Sequence, residues 1–213
     1  MHANHDIAGV VIAGGRSLRF GGEKAVAALQ GRPLLLWATG RLQLACAAVA
    51  VNARPGTEAA ALAAAAGFPV LHDLPGDPDG PLSGVRAGLL WAQGLGARAL
   101  AVSPCDAPLL PPDLFQRLID AAGEGAALAE TDEGRQPLCA LWPVRALEQL
   151  SAALAGGAHP PTWRVLEALG AVKVRFDAAG DFANLNTRED LERLEARLEA
   201  SLPQPPHELP HQR

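Results

Sequence analysis

Four glycines and three cations are packed into Gly14-Gly15-Arg16-Ser17-Leu18-Arg19-Phe20-Gly21-Gly22-Glu23-Lys24, directly after an apolar run at residues 7–13. Glycine lets backbone N–H groups close on an anion, and Arg and Lys supply the positive charge that a polyphosphate needs compensated. The segment reads as a phosphate cradle; the plainer alternative is a surface loop with solvated charges. Spacing excludes two better-known cradles. There is no G-x-x-x-x-G-K-[ST], and no G-x-G-x-x-G followed by an acidic residue at the end of the second strand, where Asn52 stands instead.

A second chemical signal is Ser103-Pro104-Cys105-Asp106-Ala107-Pro108, in which two prolines bracket an acidic residue and forbid helix or ladder continuation. A carboxylate at a strand end across from a phosphate cradle is where a hard Mg²⁺ would be held, bridging to phosphate oxygens. A turn-forming aspartate explains Asp106 equally well from local sequence. Asp73 to Gly84 holds three carboxylates and three prolines, and by itself reads as a turn with Ser83 or Asp79 capping a helix. Near the other end, Thr187-x-x-Asp190 is a relative of the capping box and accounts for Asn186 or Thr187. It leaves Asn184 unexplained, two residues earlier and on the same face as Asn186 if the stretch is extended.

These residues need a frame. The run at 7–13 is apolar without alternation, the pattern of a central strand buried on both faces. Patterning predicts helices at 33–44, 57–66, 82–93 and 112–122, and strands at 47–51, 68–71, 98–102, 126–129 and 136–141. Helices separated by Gly156-Gly157 and Pro160-Pro161 follow, then a strand at 171–176 and a charged helix at 187–200. Repeated β-α units imply right-handed crossovers and a mostly parallel sheet, with ligands outside the carboxyl ends of the strands. The expected architecture is a single α/β domain over residues 1–200, three-layered α/β/α and Rossmann-like. Residues 201–213, with four prolines and two histidines, are expected to be a disordered tail.

Composition narrows the classes. A chain of 213 residues, 49% hydrophobic, can bury a core without staples. A net charge of −5 with scattered basic residues, only 4% aromatics and no Tyr argues against a nucleic-acid groove. Cys46, Cys105 and Cys139 form no C-x-x-C pair, so neither a disulfide framework nor a zinc knuckle is expected, and a reducing cytoplasm fits. No basic leader region and no apolar run near the roughly 18 residues of a membrane span are present, so no membrane association is expected.

Taken in order, Ile12-Ala13-Gly14-Gly15-Arg16-Ser17-Leu18-Arg19-Phe20-Gly21-Gly22-Glu23-Lys24-Ala25, Val51-Asn52-Ala53, Asp73 before Gly80-Pro81-Leu82-Ser83-Gly84, Pro104-Cys105-Asp106-Ala107-Pro108 and Phe182-Ala183-Asn184-Leu185-Asn186-Thr187 resemble the molybdenum cofactor guanylyltransferase (MobA) family. That family has the nucleotide-diphospho-sugar transferase fold, and the likeness runs from about residue 7 to 198. The first loop is similar to the family's LAGGxSxRMGxDKA, with Ile for Leu, Phe20 for Met and Glu23 for Asp. The resemblance implies a Mg²⁺-dependent nucleotidyltransferase that moves GMP from GTP to the terminal phosphate of molybdenum-molybdopterin and releases pyrophosphate.

By that likeness Ile12, Ala13, Gly14, Gly15, Lys24, Asn52, Asp73 and Asp106 bind GTP, Asp106 holds Mg²⁺, and Lys24, Arg19 and Asp106 are catalytic. Asn184 and Asn186 face the pterin acceptor. Ala13-Gly14-Gly15 and Pro81-Leu82-Ser83-Gly84 resemble the guanine branch more than the cytidine branch of the family. The alternatives kept open are a cytidylyltransferase on the same pterin and a non-catalytic nucleotide- or pterin-binding protein in cofactor delivery. Two segments depart from the family: Gly156 to Arg164, where basic residues are usual, and Gln136-Pro137, where His-Pro is common. Both lie in the acceptor half, leaving Arg164 and His159 for the pterin phosphate. The implied partners are GTP, the molybdenum-pterin and, transiently, proteins of molybdenum cofactor synthesis or acceptor apoenzymes.

Overall fold

The structure is a computed structural model that describes residues 4–15, 20–177 and 179–200. Its elements in chain order are β1 (Asn4–Ile12), β2 (Ala28–Leu29), β3 (Arg32–Pro33), α1 (Leu34–Gln43), β4 (Cys46–Asn52), α2 (Glu58–Ala65), β5 (Val70–Leu71), α3 (Pro81–Gly94) and β6 (Ala99–Pro104). The second half adds α4 (Leu114–Ala122), β7 (Ala127–Thr131), β8 (Gly134–Pro143), α5 (Ala146–Leu154), α6 (Thr162–Ala168), β9 (Val172–Arg175) and α7 (Arg188–Ala200). Among the described residues no helix is long and apolar enough to cross a membrane. The expected tail, residues 201–213, lies outside the described residues.

The absence of alternation in β1 has the expected cause. Ile7 and Val11 pack into one apolar layer and Ala8 and Val10 into the other, each at most 1% exposed. The first layer joins the sheet to α1, α2 and α4 through Leu35, Leu42, Ala63 and Phe115. The second joins it to α3, α5 and α6 through Leu82, Leu89, Leu150 and Leu166. This is the three-layer α/β/α arrangement. With 4% aromatics, close approach is built from small residues: a Cβ on Gly88 of α3 would stand 2.8 Å from Leu100 of β6 and 3.0 Å from Val10 of β1.

The main sheet runs β5-β4-β1-β6-β8-β7-β9 among the described residues. β4, β1, β6 and β5 are mutually parallel and β9 is parallel to β7, while β8 opposes both of its neighbours. β7 and β8 form a hairpin whose turn includes Gly134 at φ 118°. Pattern alone had marked both as strands without their direction. The β2–β3 hairpin was not foreseen. It closes over Gln30 and Gly31, both at positive φ (51° and 72°), as two-residue hairpin turns require. A smaller apolar cluster of Leu29, Leu34, Leu185 and Leu194 packs α7 onto this hairpin and the start of α1.

Two core thiols make stability sensitive to alkali. Burial pushes Cys46 up to about 12 from an ordinary 9.0, and raises Cys139 further, with the Asp106 charge adding to its burial. In the unfolded chain both thiols lose their protons above pH 9, whereas in the fold they hold them. Stability is therefore fully present below pH 9 and falls as pH rises towards 12, by at most about 1.4 kcal/mol per pH unit for each thiol. Urea unfolding from pH 8 to 11 should show this decline, and Cys46→Ala should make the decline shallower.

Candidate functional site

Strand register puts the candidate residues in one row. Ile12 lies level with Asn52 on one side and Pro104 on the other, and Asn52 is level with Leu71. The carboxyl ends of β1, β4, β6 and β5 therefore finish together. Ala13, Gly14 and Gly15 follow the first, Asn52 ends the second, Asp106 comes two residues after the third and Asp73 two residues after the fourth. Asn52 and Pro104 are two strand spacings apart, about 10 Å by sheet geometry.

At the β4–β5 side the Asn52 side chain is buried, 2% exposed, and its amide donates to the Asp73 carboxylate at 2.9 Å and to Leu71 O at 3.4 Å. The Asn52 backbone carbonyl accepts from Ala13 N at 2.8 Å, which ties the first loop to this residue. Its Oδ1 rests on Gly84 in the first turn of α3, where a Cβ would come within 2.3 Å of it. Gly14 is the next neighbour; a Cβ there would meet the same oxygen at 3.5 Å. Asp73 itself is exposed, so its carboxylate is oriented by Asn52 and open to a ligand.

At the β6 side Lys24 opens a 3-10 turn, Lys24–Val26, whose Ala25 is set in the core against α1. Lys24 is 9% exposed, and its Nζ donates to Asp106 Oδ2 at 2.8 Å and to Asn186 Oδ1 at 3.3 Å. A lysine this covered is held charged only with such partners. The loop carrying Asp106 and the loop carrying Asn186 are joined directly, because Leu185 N donates to Asp106 O at 2.9 Å. Asp190 accepts from the backbone of Asn186 and of Thr187 at 2.9 Å each, and Asp190 N donates to Thr187 Oγ1 at 3.2 Å. Those backbone donors, Asn186 first, hold the Asp190 carboxyl below its usual range. The capping motif thus fixes the residue that reaches Lys24.

Of the residues singled out from sequence, the structure brings together Ile12, Ala13, Gly14, Asn52 and Asp73 in one group and Lys24, Asp106 and Asn186 in the other. Gly15 follows in the same loop and is exposed. Arg19 lies outside the described residues. Asn184 lines a cavity of about 270 Å³ with Leu109, Asp190, Arg193 and Arg197, beside the Asp106 loop. His159 Nε2 accepts from Leu82 N at 3.2 Å, and Arg164 stacks over the Trp163 ring at 5.3 Å.

Three supporting residues were missed. Glu23 accepts from the backbone of Glu58 at 3.0 Å and of Ala59 at 2.8 Å, capping α2 from a distance of 35 residues. Arg188 Nε donates to Phe20 O at 3.3 Å and closes the far end of the cradle loop. Gly84 was read only as part of a motif, whereas its missing side chain is what Asn52 occupies. A glycine in a helix's first turn, three residues after Pro81, is the signal that could have flagged it.

The donor set at Lys24 is one carboxylate and one amide carbonyl, Asp106 and Asn186. These are hard oxygens, which suit Mg²⁺; that ion commonly takes one or two carboxylates and completes its shell with water and substrate phosphate. Asp106 is 23% exposed at its side chain and so open to such a partner.

Residues 9–172 match the family model described as MobA-like NTP transferase domain. The chain belongs to that family. It is 44% identical over 194 residues to a molybdenum cofactor guanylyltransferase of Cereibacter sphaeroides, covering 89% of this chain and 96% of the relative. It is 40% identical over 201 residues to one from Rhodobacter capsulatus, covering 92% and 99%. Its fold is similar to the crystal structure of molybdopterin-guanine dinucleotide biosynthesis protein A from Archaeoglobus fulgidus. There the TM-score is 0.73 at 23% identity, covering 91% of this chain and 99% of that one. The MobA-like match takes in the residues of both groups up to Asp106, while Asn184 and Asn186 lie beyond residue 172 and are reached by the full-length relatives.

Gly84→Ala tests the packing at the first group. Helix propensity favours the change by at most about 1 kcal/mol, whereas forcing a methyl against a buried side chain costs about 1–3 kcal/mol. With contacts of 2.3 Å to Oδ1 and 2.7 Å to Cγ of Asn52, the clash wins. The expected result is a lower urea midpoint with an unchanged slope.

Proposed function

We propose that this MobA-like chain transfers GMP from GTP to the terminal phosphate of molybdenum-molybdopterin, forming the guanine dinucleotide and releasing pyrophosphate. The observation that carries the reading is the Lys24–Asp106–Asn186 group, set on the same sheet edge as the Asn52–Asp73 pair. Relatives that are 37–44% identical and carry the guanylyltransferase name support it.

The chemistry needs little from side chains beyond placement. The attacking group is a phosphate oxygen, already ionised at neutral pH, so no general base is required. It forms a bond to the α-phosphorus in line, and the bond to the bridging oxygen of pyrophosphate breaks. Catalysis is then positioning together with compensation of phosphate charge. Mg²⁺, when bound, would be held by Asp106 with Asn186 beside it, and would neutralise charge on phosphate oxygens. Lys24 turns from its carboxylate partner towards the triphosphate and carries positive charge to it. Arg19 is assigned the same task on the cradle loop. Gly14 and Gly15, with Ile12 and Ala13, are assigned to bring backbone N–H groups against the nucleotide, and Asn184 to face the acceptor.

The base end favours guanine on chemical grounds. Guanine presents adjacent N1–H and N2–H donors, which one carboxylate can accept together, whereas cytosine's pairing edge has a single donor beside two acceptors. Asp73 is an exposed carboxylate already steadied by the Asn52 amide.

Pyrophosphate release with Mg²⁺ should occur from GTP and not from ATP, UTP or CTP, and only with molybdenum-loaded molybdopterin present. Preference for CTP would move the chain to the cytidine branch. GTP binding without release would assign it to cofactor delivery. Asp106→Asn, which keeps an oxygen for Lys24, should lower kcat by roughly a hundredfold or more with the circular dichroism spectrum unchanged. Lys24→Met should raise the GTP KM and lower kcat together. An unaltered rate in either variant removes that residue from the mechanism.

A further inference from the structure

Within the segment 156–164, the backbone before α6 follows an unusual path. Gly156 and Gly157 take φ of 77° and 80°, a backbone path that other residues rarely follow, and Pro160 and Pro161 then stiffen the approach to α6. Between them His159 is delivered to the first turn of α3. Its Nε2 accepts from Leu82 N at 3.2 Å, one of the N–H groups that a helix start leaves without an intrahelical partner. The Nε2 lone pair faces that N–H.

The fit is specific to this ring. Gly80, the residue before α3, has φ 148°, and a Cβ there would stand 2.2 Å from His159 Nε2. The turn that His159 holds is anchored at two other points. Ser83 Oγ donates to Pro78 O at 2.6 Å, and Arg86 pairs with Asp77, whose side chain is only 4% exposed. The same turn carries Gly84, on which Asn52 packs, and Asn52 in turn steadies Asp73. Contacts thus run from His159 through Leu82 and Gly84 to Asn52 and Asp73.

We infer that His159 is a positioning residue for the nucleotide: by capping α3 from the acceptor half of the chain, it sets the turn at residues 80–84 against Asn52 and Asp73. This rests on the reading of Asn52 and Asp73 as the base-binding end. His159 needs no contact with substrate to act, and its effect falls on nucleotide affinity rather than on the transfer step. Because it sits in the loop leading to α6, it also gives the two halves of the sheet edge a mechanical link.

The test compares His159→Phe, His159→Asn and His159→Gln by steady-state pyrophosphate release, with GTP varied at saturating molybdenum-loaded molybdopterin, and by calorimetric titration with GTP. Phe keeps a ring but cannot accept; Asn is too short to reach Leu82; Gln places an oxygen near the position of Nε2. One hydrogen bond to a backbone N–H predicts about a five- to tenfold rise in the GTP KM and Kd for Phe and Asn, with kcat within about twofold. Gln should return both to within about twofold of the unaltered protein. Unchanged KM and Kd in Phe and Asn overturn the inference, as does a loss in Gln equal to theirs or a loss confined to kcat. Absence of GTP-dependent release by the unaltered protein would instead overturn the proposed function. Ordinary turnover with a KM indifferent to residue 159 overturns only the role of His159.

Discussion

The level ending of four parallel strands is the constraint on which the rest of the site depends. A parallel sheet points every carboxyl end the same way, and the register of Ile12 with Asn52 and Pro104 makes three of those ends coincide. Each following loop then has only one or two residues in which to present a functional group, which is why Asn52, Asp73 and Asp106 come to one edge of the sheet despite being 21 and 33 residues apart in turn. A one-residue slip of β4 or β6 would turn its side chains to the opposite face and bury a carboxyl or amide in an apolar layer. The apolar residues of β1, β4 and β6, fixed on both faces by the two helix layers, hold the register and hence the site.

Charge balance adds a second constraint that reaches across the whole chain. Lys24 is covered, so its ammonium must be met by oxygen, and the structure meets it from Asp106 and from Asn186, 82 and 162 residues away. Holding Asn186 there requires α7, because Asp190 organises the turn and Leu194 sits in the cluster with Leu29, Leu34 and Leu185. The C-terminal helix therefore serves the site, although it donates no residue of its own to Lys24. The position of the cation is thus set by the fold itself.

How much of this could be read beforehand follows from which interactions are local. The first strand, the Asp106 turn bracketed by prolines, and the cap at Thr187 and Asp190 are written in neighbouring residues, and each appears where pattern places it. The order of α/β units and the three layers follow from the same periodicities. The opposed direction of β8 was not legible, since a buried strand reads identically whichever way it runs. Nor was the β2–β3 hairpin, because Gln30-Gly31 is a weak turn signal and Gln30 adopts φ 51° against its own preference. Glu23 capping α2 and Arg188 closing on Phe20 are long-range fits of which the neighbouring sequence carries no trace.

The reversal at β8 explains why the chain's second half departs from the regular β-α order of the first. β1, β4, β5 and β6 finish this edge by the end of β6, and β8 then pairs antiparallel to β6, so its Gly134 end, not its Pro143 end, comes to that edge. The loops that reach the edge from the second half are thus the β7–β8 turn, the approach to α6 and the segment before α7. None of these loops supplies register to the central strands. The central strands keep Asn52, Asp73 and Asp106 at the edge, while the glycines and prolines around His159 carry that side chain to the first turn of α3. A sheet built this way separates two demands physically: the parallel strands fix the ends that carry Asn52, Asp73 and Asp106, and the loops beyond the reversed strand reach the same edge without setting its register.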